Sequence, residues 1–336
     1  MSGRKGGKTE GKRDLLALAE RLSRSRVGVV GDFVADVYVY GKPARLSREA
    51  PVLVATFEGE ETVPGSAANT ANNLAALGVP VWPVTIVGDD EAGRALKSHF
   101  ARLGVETDGI LLDPGARTIM KTRFCLGDLH RSRHQVLRID REEDAPLSRI
   151  RERRVLAALA AADKNVRAWI VSDYGYSLLS PGVAVAIRRI SRRKPVVVDS
   201  HDRLGEFPGV AAVTPNHEEA LRALDLSAAV PVERLAQRLR KTLRVPTVLL
   251  TLGKDGMVLA NAAGTCKIPA AGSEEAVDVS GCGDTVAAVF TAAVAAGADA
   301  LSAAWLANLA ASVVVMKPRT ATLSRDELAS AIRSAV

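Results

Sequence analysis

The segment 277–285 combines a glycine-rich turn with a carboxylate. It reads Val277-Asp278-Val279-Ser280-Gly281-Cys282-Gly283-Asp284-Thr285, and the apolar run 286–296 follows it directly. A glycine turn that opens a buried helix leaves backbone N–H groups free to bind an anion such as a phosphoryl group. Asp284 would lie on the first turn of that helix, where an acid can take a proton from an attacking hydroxyl. An acid that only caps the helix would give the same pattern, so from these residues alone both interpretations stand.

Two further polar clusters have the composition of a polyol site. Asp32 and Asp36 follow a short apolar run, and each carboxylate can accept hydrogen bonds from two hydroxyls. Gly65 opens an alanine-rich helix on which Asn69 and Asn72 lie one turn apart, so that two amides would share a face. A solvated loop and an Asn-rich helix start are the structural alternatives for these two clusters.

Two later motifs suit a nucleotide and its metal. Asn216 and Glu219 stand at a strand end and helix start, where they could bind Mg²⁺ through water or simply cap the helix. Thr251, Gly253 and Gly256 bracket a hairpin turn whose amides could line a nucleotide, although a plain turn needs no function. The sequence contains neither GxxxxGK[ST] nor GxGxxG, so neither of those nucleotide-binding motifs is indicated.

The elements that must position these residues alternate between strands and helices. Buried strands are predicted at 27–31, 81–87, 168–172, 196–199, 212–214 and 248–252. Helices are predicted at 15–22, 67–77, 91–103, 150–162, 183–192, 218–224 and 232–243. This alternation predicts an α/β fold with a central, mostly parallel sheet and helices on both faces. Ligands bind beyond the carboxyl ends of such strands, where Asp32, Asp173, Asp199, Asn216 and Gly253 fall.

Two segments interrupt the alternation with β-type patterning. They span about 38–57 and 118–140, and we expect them to form a small inserted β-sheet. Such a sheet could be a lid over the site, an extension of the sheet edge or a dimer surface. Because its strand edges would need covering, we expect a homodimer through this sheet.

Composition limits the class of protein. The chain has 336 residues, 47% of them hydrophobic, which is enough for two domains or for one large α/β domain with an insertion, and we expect the single domain over 15–336. The three cysteines show no CxxC spacing, so neither a disulfide framework nor a zinc site is indicated. No apolar stretch has the length of a membrane span or of a signal core. We therefore expect a soluble cytoplasmic protein without membrane contact.

The chain is basic, with a net charge of +7. Part of this charge lies in residues 1–14, a Gly/Lys-rich tail that we expect to be disordered. No aromatic residue is interleaved with these charges to stack on bases, so a nucleic-acid partner is disfavoured. The remaining charge suits a protein that handles small anionic molecules.

The order of these motifs resembles the ribokinase-like (PfkB) carbohydrate kinases from about residue 27 to the C-terminus. Within that family the chain is most similar to the kinases of D-glycero-D-manno-heptose 7-phosphate in ADP-heptose synthesis. The similarity rests on Asp32 with Asp36, on the runs at 38–41, 46–52 and 118–123, on 135–140, and on Ser172-Asp173-Tyr174. No nucleotidyltransferase part follows, so the chain resembles the kinase-only form.

The resemblance implies an ATP-dependent sugar kinase with a role for each motif. Asp284 would be the base, and the amides of Gly281, Cys282, Gly283 and Asp284 would form the anion hole. Asp32, Asp36, Gly65, Ser66, Asn69 and Asp173 would bind the sugar, with Lys121 and Arg138 as candidates for an anionic substrate group. Asn216 and Glu219 would act around Mg²⁺, while Thr251, Gly253, Gly256 and Asn308 would line the ATP pocket. Asp278 and Ser280 match the monovalent-cation loop, so the resemblance also allows K⁺ activation.

Several positions depart from the family pattern. Ser66 replaces a glycine of the sugar-site pair, Cys282 replaces a small residue, and Arg319 stands where a glycine is usual near the adenine. Val37, Tyr176 and His201 stand where heptose kinases usually carry cations. These differences leave two alternatives open, which are a kinase of another sugar or sugar phosphate and a non-catalytic sugar- or nucleotide-binding relative.

Overall fold

The computed structural model describes residues 3–127, 133–142, 146–227, 230–272 and 276–335, with the backbone alone for residues 3–10. In chain order the elements are α1 (Gly3–Arg21), β1 (Val27–Gly31), β2 (Phe33–Leu46), β3 (Leu53–Ser66), α2 (Ala67–Ala76), β4 (Val81–Gly88), α3 (Glu91–Arg102), β5 (Ile110–Asp113), β6 (Ile119–Leu126), β7 (His134–Arg141), α4 (Arg149–Asp163), β8 (Ala168–Asp173), α5 (Pro181–Ser191), β9 (Val196–Ser200), β10 (Ala212–Val213), α6 (His217–Ala223), α7 (Val232–Leu243), β11 (Thr247–Thr251), β12 (Met257–Asn261), β13 (Gly264–Ile268), α8 (Cys282–Ala295), α9 (Ala300–Val314) and α10 (Arg325–Ser334).

The larger sheet has the strand order β13-β12-β11-β10-β9-β8-β1-β4-β5 within these residues. It is parallel from β11 to β5, while β12 and β13 pair antiparallel at one edge. Its central strands are continuous apolar runs because helices cover both faces. Neighbouring residues on β1 accordingly enter different cores: Val29 packs with α2, α8 and α9, and Val30 packs with α4, α5 and α7. The predicted α/β fold is confirmed.

The small sheet, which we define as β3-β2-β6-β7, confirms the predicted second sheet. Its strands β2 and β3 are longer than predicted because their inner ends continue into the main body. Phe33 pairs with Ser66 at that end and both residues are buried, whereas Leu46 pairs with Leu53 at the exposed outer end. Residues 128–132 of the predicted segment lie outside the described residues.

The N-terminal segment differs from the prediction of a disordered tail over 1–14. Helix α1 begins at Gly3 in the structure, and residues 1–2 lie outside the described part. The predicted lead-in helix forms its packed half, since Leu15, Leu16 and Leu18 contact the core formed with α8, α9 and α10. Further out, Lys12 Nζ donates a hydrogen bond to the Arg333 carbonyl at 3.2 Å. Among the described residues, no helix has the length and apolar character needed to cross a membrane.

Candidate active site

Helix α8 presents Asp284 on its first turn. The helix is preceded by Gly281, whose φ of 73° is left-handed. A Cβ atom on Gly281 would lie 2.4 Å from Asn69 Nδ2, so the turn needs glycine for its conformation and for its close approach to α2. The side chain of Asp284 is only 3% exposed. The glycine turn therefore places a buried carboxylate against α2.

Three side chains donate hydrogen bonds to the Asp284 carboxylate. Asn69 Nδ2 donates to Oδ2 at 2.8 Å, and Thr70 Oγ1 donates to Oδ1 at 3.2 Å. The Tyr174 hydroxyl, just beyond the end of β8, donates to Oδ1 at 2.6 Å. Thus α2, β8 and α8 converge on one carboxylate.

The protonation of Asp284 suits a base that works near neutral pH. Burial raises the pKa of its carboxyl to about 6, while the hydrogen bonds from Tyr174, Asn69 and Thr70 favour the ionised form and oppose that rise. Above about pH 6 the group is ionised and can accept a proton.

The amides at the start of α8 are unequally available to an anion. The Cys282 N–H donates to the Val279 carbonyl at 3.2 Å. For Gly283 and Asp284, the described residues supply no backbone acceptor to the N–H. Burial raises the pKa of the Cys282 thiol to about 11, so this cysteine stays protonated near neutral pH. Of the predicted anion hole, the N–H groups of Gly283 and Asp284 are therefore more available to an anion than that of Cys282.

Asn69 is held in place by a chain of amides and hydroxyls. Asn73 Nδ2 donates to Asn69 Oδ1 at 3.1 Å, and Thr285 Oγ1 donates to Asn73 Oδ1 at 3.0 Å. This chain orients the Asn69 amide so that its Nδ2 faces Asp284. Asn72 Oδ1, in contrast, lies 2.9 Å from His99 Nε2, and the described contacts do not link Asn72 to Asp284.

The two predicted sugar carboxylates differ in what they contact. Asp32 Oδ1 accepts from the Leu178 N–H at 3.1 Å, whereas its buried Oδ2 has no hydrogen-bond partner in the described part of the chain. Burial raises the pKa of Asp32 to about 7. Asp36 Oδ1 accepts from Arg123 Nη1 at 2.6 Å, and a Cβ on Gly65 would lie 2.6 Å from Asp36 Oδ2. Asp32 thus keeps a buried acceptor, and Asp36 is held by an ion pair.

Ser66 links the small sheet to α2 in a backbone conformation that favours glycine. Its φ is 52°, and its side chain makes no capping hydrogen bond with α2. The site therefore keeps the glycine-like backbone of the family pattern while carrying a side chain there.

Asp173 is occupied by structural contacts. Its carboxylate accepts hydrogen bonds from Ser200 Oγ at 2.7 Å and from Arg203 Nε at 3.0 Å. It also accepts from the Gly175 N–H at 3.1 Å. Asp173 thus fixes the turn that carries Tyr174, and the described contacts supply no support for its predicted role in substrate binding.

The basic side chains of the small sheet differ in whether they form an ion pair with a carboxylate. Arg138 pairs with Asp140 at 2.9 Å and is half exposed, and Arg123 pairs with Asp36. The Lys121 ammonium lies 5.8 Å from the centroid of the Tyr176 ring, with no carboxylate partner among the described residues. Lys121 is thus more available to a ligand anion than Arg138.

A cleft of about 770 Å³ lies beyond the carboxyl ends of β10 and β11. Three predicted nucleotide residues contribute to its wall, and the full lining is Asn216, His217, Glu218, Val232, Thr251, Leu252, Gly253, Asp255 and Lys267. Gly256 and Asn308 are not part of this lining. A Cβ on Gly256 would lie 2.1 Å from the Ile268 carbonyl, and Asn308 Nδ2 donates to the Pro269 carbonyl at 2.9 Å. These two residues shape the segment that borders the cleft.

Asn216 and Glu219 cap α6 and lie beside a second carboxylate. Asn216 Oδ1 accepts from the Glu219 N–H at 2.9 Å, and Glu219 Oε2 accepts from the Asn216 N–H at 2.8 Å. Burial raises the pKa of Glu219, and burial together with the Glu219 charge raises the pKa of Asp199. Two neighbouring carboxylates fit Mg²⁺, which takes one or two carboxylates and completes its shell with water and phosphate. No group of three or more His, Cys, Asp or Glu suited to a metal occurs in the described ranges.

The loop before α8 is fixed by the carboxylate of Asp278. Its Oδ1 accepts from the Ser280 N–H and its Oδ2 from the Arg319 N–H, both at 2.9 Å. The Arg319 guanidinium donates to the Tyr40 hydroxyl at 2.7 Å and also to the Glu61 carboxylate. Arg319 thus connects this loop to the small sheet instead of standing free beside the cleft.

The structure adds residues that the sequence reasoning did not assign to the site. Thr70 and Tyr174 contact Asp284, and Arg123 contacts Asp36. Thr70 could have been found because it directly follows Asn69, and Tyr174 because it follows a strand end. The Arg123 contact depends on the pairing of β2 with β6, which no local pattern reveals.

Comparison with known proteins identifies a family, a relative and two solved structures of similar fold. The model of the pfkB family carbohydrate kinases matches residues 24–327. The chain is 36% identical over 327 residues to "Bifunctional protein HldE" of Pelobacter propionicus. The matched region covers 96% of this chain and 66% of the length of that relative. The fold is similar to Arabidopsis thaliana ribokinase complexed with ribose and ATP (TM-score 0.70, 19% identity, 92% of this chain and 98% of that one). It is also similar to phosphofructokinase-2 from Escherichia coli in complex with potassium (TM-score 0.73, 14% identity, with the same coverage of 92% and 98%).

Proposed function

Because the chain belongs to the pfkB family of carbohydrate kinases, we propose that it transfers the γ-phosphate of ATP to heptose 7-phosphate and forms heptose 1,7-bisphosphate. The reaction class, ATP-dependent phosphorylation of a carbohydrate, follows from the family. The heptose is supported by the motifs of the small sheet, in particular Glu49-Ala50-Pro51-Val52, which resemble those of the heptose 7-phosphate kinases.

The observation that carries the proposal is the buried Asp284 beside the free amides at the start of α8. Asp284 takes the proton of the sugar hydroxyl as the hydroxyl oxygen bonds to the γ-phosphorus. The bond from the γ-phosphorus to the β–γ bridging oxygen breaks at the same time, and ADP leaves. The N–H groups of Gly283 and Asp284 stabilise the charge on the γ-phosphoryl oxygens.

Binding is divided between the two ends of the site. At the sugar end, Oδ2 of Asp32, which has no hydrogen-bond partner among the described residues, accepts a hydrogen bond from a substrate hydroxyl. Asp36 on β2 and Asn69 on α2 lie at the same end. At the other end, the cleft lined by Asn216, Thr251 and Gly253 takes the nucleotide. Mg²⁺ bound with ATP would neutralise phosphate charge, and Asn216 and Glu219 are the residues that would hold it through water.

Two further parts of the proposal concern a cation and assembly. K⁺ binding at the loop of Asp278 and Ser280 is supported by the fixed geometry of that loop and by the likeness to a kinase solved with potassium. A homodimer through the small sheet is supported by the apolar side chains that this sheet exposes, such as Phe57 and Ile139. A cytoplasmic location stays a prediction from the sequence.

A kinase of another sugar is the alternative that a specific observation favours. Tyr176 and His201 stand where heptose kinases usually carry cations, and both have local partners. The Tyr176 hydroxyl donates to Glu142 at 3.1 Å, and His201 Nδ1 lies 3.8 Å from Glu219 Oε1. Fewer cationic side chains at these two positions suit a substrate with less negative charge.

The first experiment measures ADP release from Mg-ATP against a panel of sugars, with Asp284→Asn as the matched blank. The panel contains heptose 7-phosphate, free heptoses, ribose and the fructose phosphates. We expect turnover with heptose 7-phosphate and a loss of about 10²–10⁴-fold in Asp284→Asn, the usual cost of removing a general base. The folded state of the variant is checked by circular dichroism.

Each outcome separates the proposals. Turnover on another sugar alone would keep the mechanism and reject the heptose. Absence of turnover on every sugar would favour a binding-only relative, which ATP binding by calorimetry would then identify. An Asp284→Asn variant that retains more than about a tenth of the activity would reject Asp284 as the base.

A further inference from the structure

The acceptor sites of the Asp284 carboxylate are unequally occupied. Oδ1 accepts two hydrogen bonds, from Tyr174 and Thr70, whereas Oδ2 accepts one, from Asn69. A carboxylate oxygen offers about two acceptor sites. Within the described part of the chain, Oδ1 is therefore filled and Oδ2 keeps one site for a further donor.

We propose that Oδ2 of Asp284 receives the substrate proton, and that Tyr174 is a positioning residue that holds Oδ1 and stabilises the ionised carboxylate. This inference rests on the proposed function, since it concerns the base of that reaction. With Oδ1 held by two donors and Oδ2 by one, the carboxylate has one orientation and one free acceptor position. The substrate hydroxyl would occupy that position beside Asn69 Nδ2.

The position of Tyr174 is itself determined by the turn after β8. Asp173 directly precedes it and is anchored by Arg203 and Ser200. The ring centroid of Tyr174 lies 4.7 Å from that of His201. Burial, with the nearby charges of Asp284 and Asp199, raises the pKa of Tyr174 well above its usual value, so its hydroxyl remains a donor.

The charged surroundings of Asp284 require such donors. Glu219 on α6 acts on Tyr174. The carboxylates that act on Asp284 itself are Asp36 on β2 and Asp199 on β9, and the neutral thiol of Cys282 lies beside it on α8. These acidic groups and burial favour the protonated form of Asp284. The donors Tyr174, Asn69 and Thr70 favour the ionised form. Removal of the Tyr174 hydroxyl should therefore raise the pKa of Asp284.

The test compares Tyr174→Phe with Tyr176→Phe. The two tyrosines lie in the same turn, but the hydroxyl of Tyr176 donates to Glu142. In the wild type, kcat/KM should rise with pH through about 6 as Asp284 ionises. We expect Tyr174→Phe to move the rise of kcat/KM to a higher pH by about one unit, which is a tenfold change in the ionisation constant of Asp284. The difference in activity between this variant and the wild type should become smaller at higher pH. Tyr176→Phe should leave the rise at the pH of the wild type.

A second measurement does not depend on turnover. The carboxyl carbon of Asp284, labelled with ¹³C and assigned with Asp284→Asn, reports its titration by NMR without substrate. We expect the same upward shift in Tyr174→Phe and a smaller one in Thr70→Val, whose hydrogen bond to Oδ1 is longer. A uniform loss of activity at every pH, or an unmoved titration in both variants, would overturn the inference. If the wild type turns over no sugar, the proposed function fails, and the NMR titration still decides the role of Tyr174.

Discussion

Among the basic side chains at the sugar end, Lys121 differs in its contacts. It pairs in register with Asp36 on β2 and with Asp140 on β7, yet each of those carboxylates has an arginine partner. The Lys121 ammonium instead lies over the Tyr176 ring. An ammonium group that lacks a carboxylate partner within the described ranges is the one that an anionic substrate can engage without breaking a described ion pair.

We therefore expect Lys121→Met to weaken binding of a phosphorylated sugar. The KM for the sugar phosphate should rise about tenfold or more, since a hydrogen bond to a charged group contributes about 1.5–3 kcal/mol. The KM for ATP should stay unchanged. Steady-state kinetics with each substrate varied in turn measure both constants.

Arg138→Met is the matched control, because Arg138 is held by Asp140 at the more exposed side of the same sheet. We expect at most a twofold change in its KM for the sugar. A larger effect at Arg138 than at Lys121 would contradict the assignment of the anion to Lys121.

Among the individual residues of the site, some could be predicted from local spacing in the sequence. The glycine turn with Asp284 on α8, and Asn69 on α2, could be predicted because each lies at the start of a helix. The contact of Arg123 with Asp36 could not be predicted, because it depends on the pairing of β2 with β6, which brings together residues 87 positions apart in the chain. The predicted role of Asp173 receives no support because Arg203, which neutralises it, lies on a later turn.

Ser66 is the element-scale feature with the clearest energetic consequence. It joins β3 to α2 with a φ of 52° and makes no side-chain capping bond. A residue with a Cβ in this conformation costs of order 1–3 kcal/mol, whereas glycine adopts it freely. We expect Ser66→Gly to raise the free energy of unfolding by about 1 kcal/mol, after the larger entropy of the unfolded glycine chain is subtracted. Urea unfolding at constant m-value measures it.

Ser66→Ala provides the control for this prediction. Alanine keeps the Cβ and removes only the hydroxyl, so the stability should stay close to that of the wild type. If Ser66→Ala and Ser66→Gly stabilise the protein equally, the gain does not come from the backbone conformation.

The elements themselves were largely predictable, and their ends less so. Strand β1 and helix α7 have the predicted bounds, because a short apolar run and an amphipathic period mark them clearly. The predicted start of the small sheet at residue 38 was wrong, since β2 begins at Phe33. Its inner end is buried on both faces by the main body, and that burial hides the alternation from which a strand is predicted.

On the scale of the whole molecule, the outer face of the small sheet is apolar. Phe57, Leu137 and Ile139 are 66%, 52% and 54% exposed. Leu137 and Ile139 alternate along β7, so they share one face of the strand. Exposed apolar side chains in such a cluster are typical of a protein–protein interface.

We expect Ile139→Lys to convert a dimer into a monomer, because a buried, unpaired ammonium would oppose association. Sedimentation velocity at micromolar concentration measures the change. Ile150→Lys is the control, since Ile150 is 74% exposed but lies on α4, outside the small sheet. A dimer that survives Ile139→Lys would place the interface elsewhere, and a monomeric wild type would reject the homodimer.

The antiparallel pair β2–β3 runs without a loop from the buried main body to the outer rim of the small sheet. Asp36 lies in the inner part of β2, and the register of the pair shifts further out, between Tyr40 and Gly41 and again between Pro43 and Arg45. The inner end of the pair is therefore fixed inside the protein, and its pairing is irregular near these two shifts. The backbone hydrogen bonds of the pair connect the outer end to Asp36, so a partner that binds the outer end would also restrain this proposed sugar-binding residue.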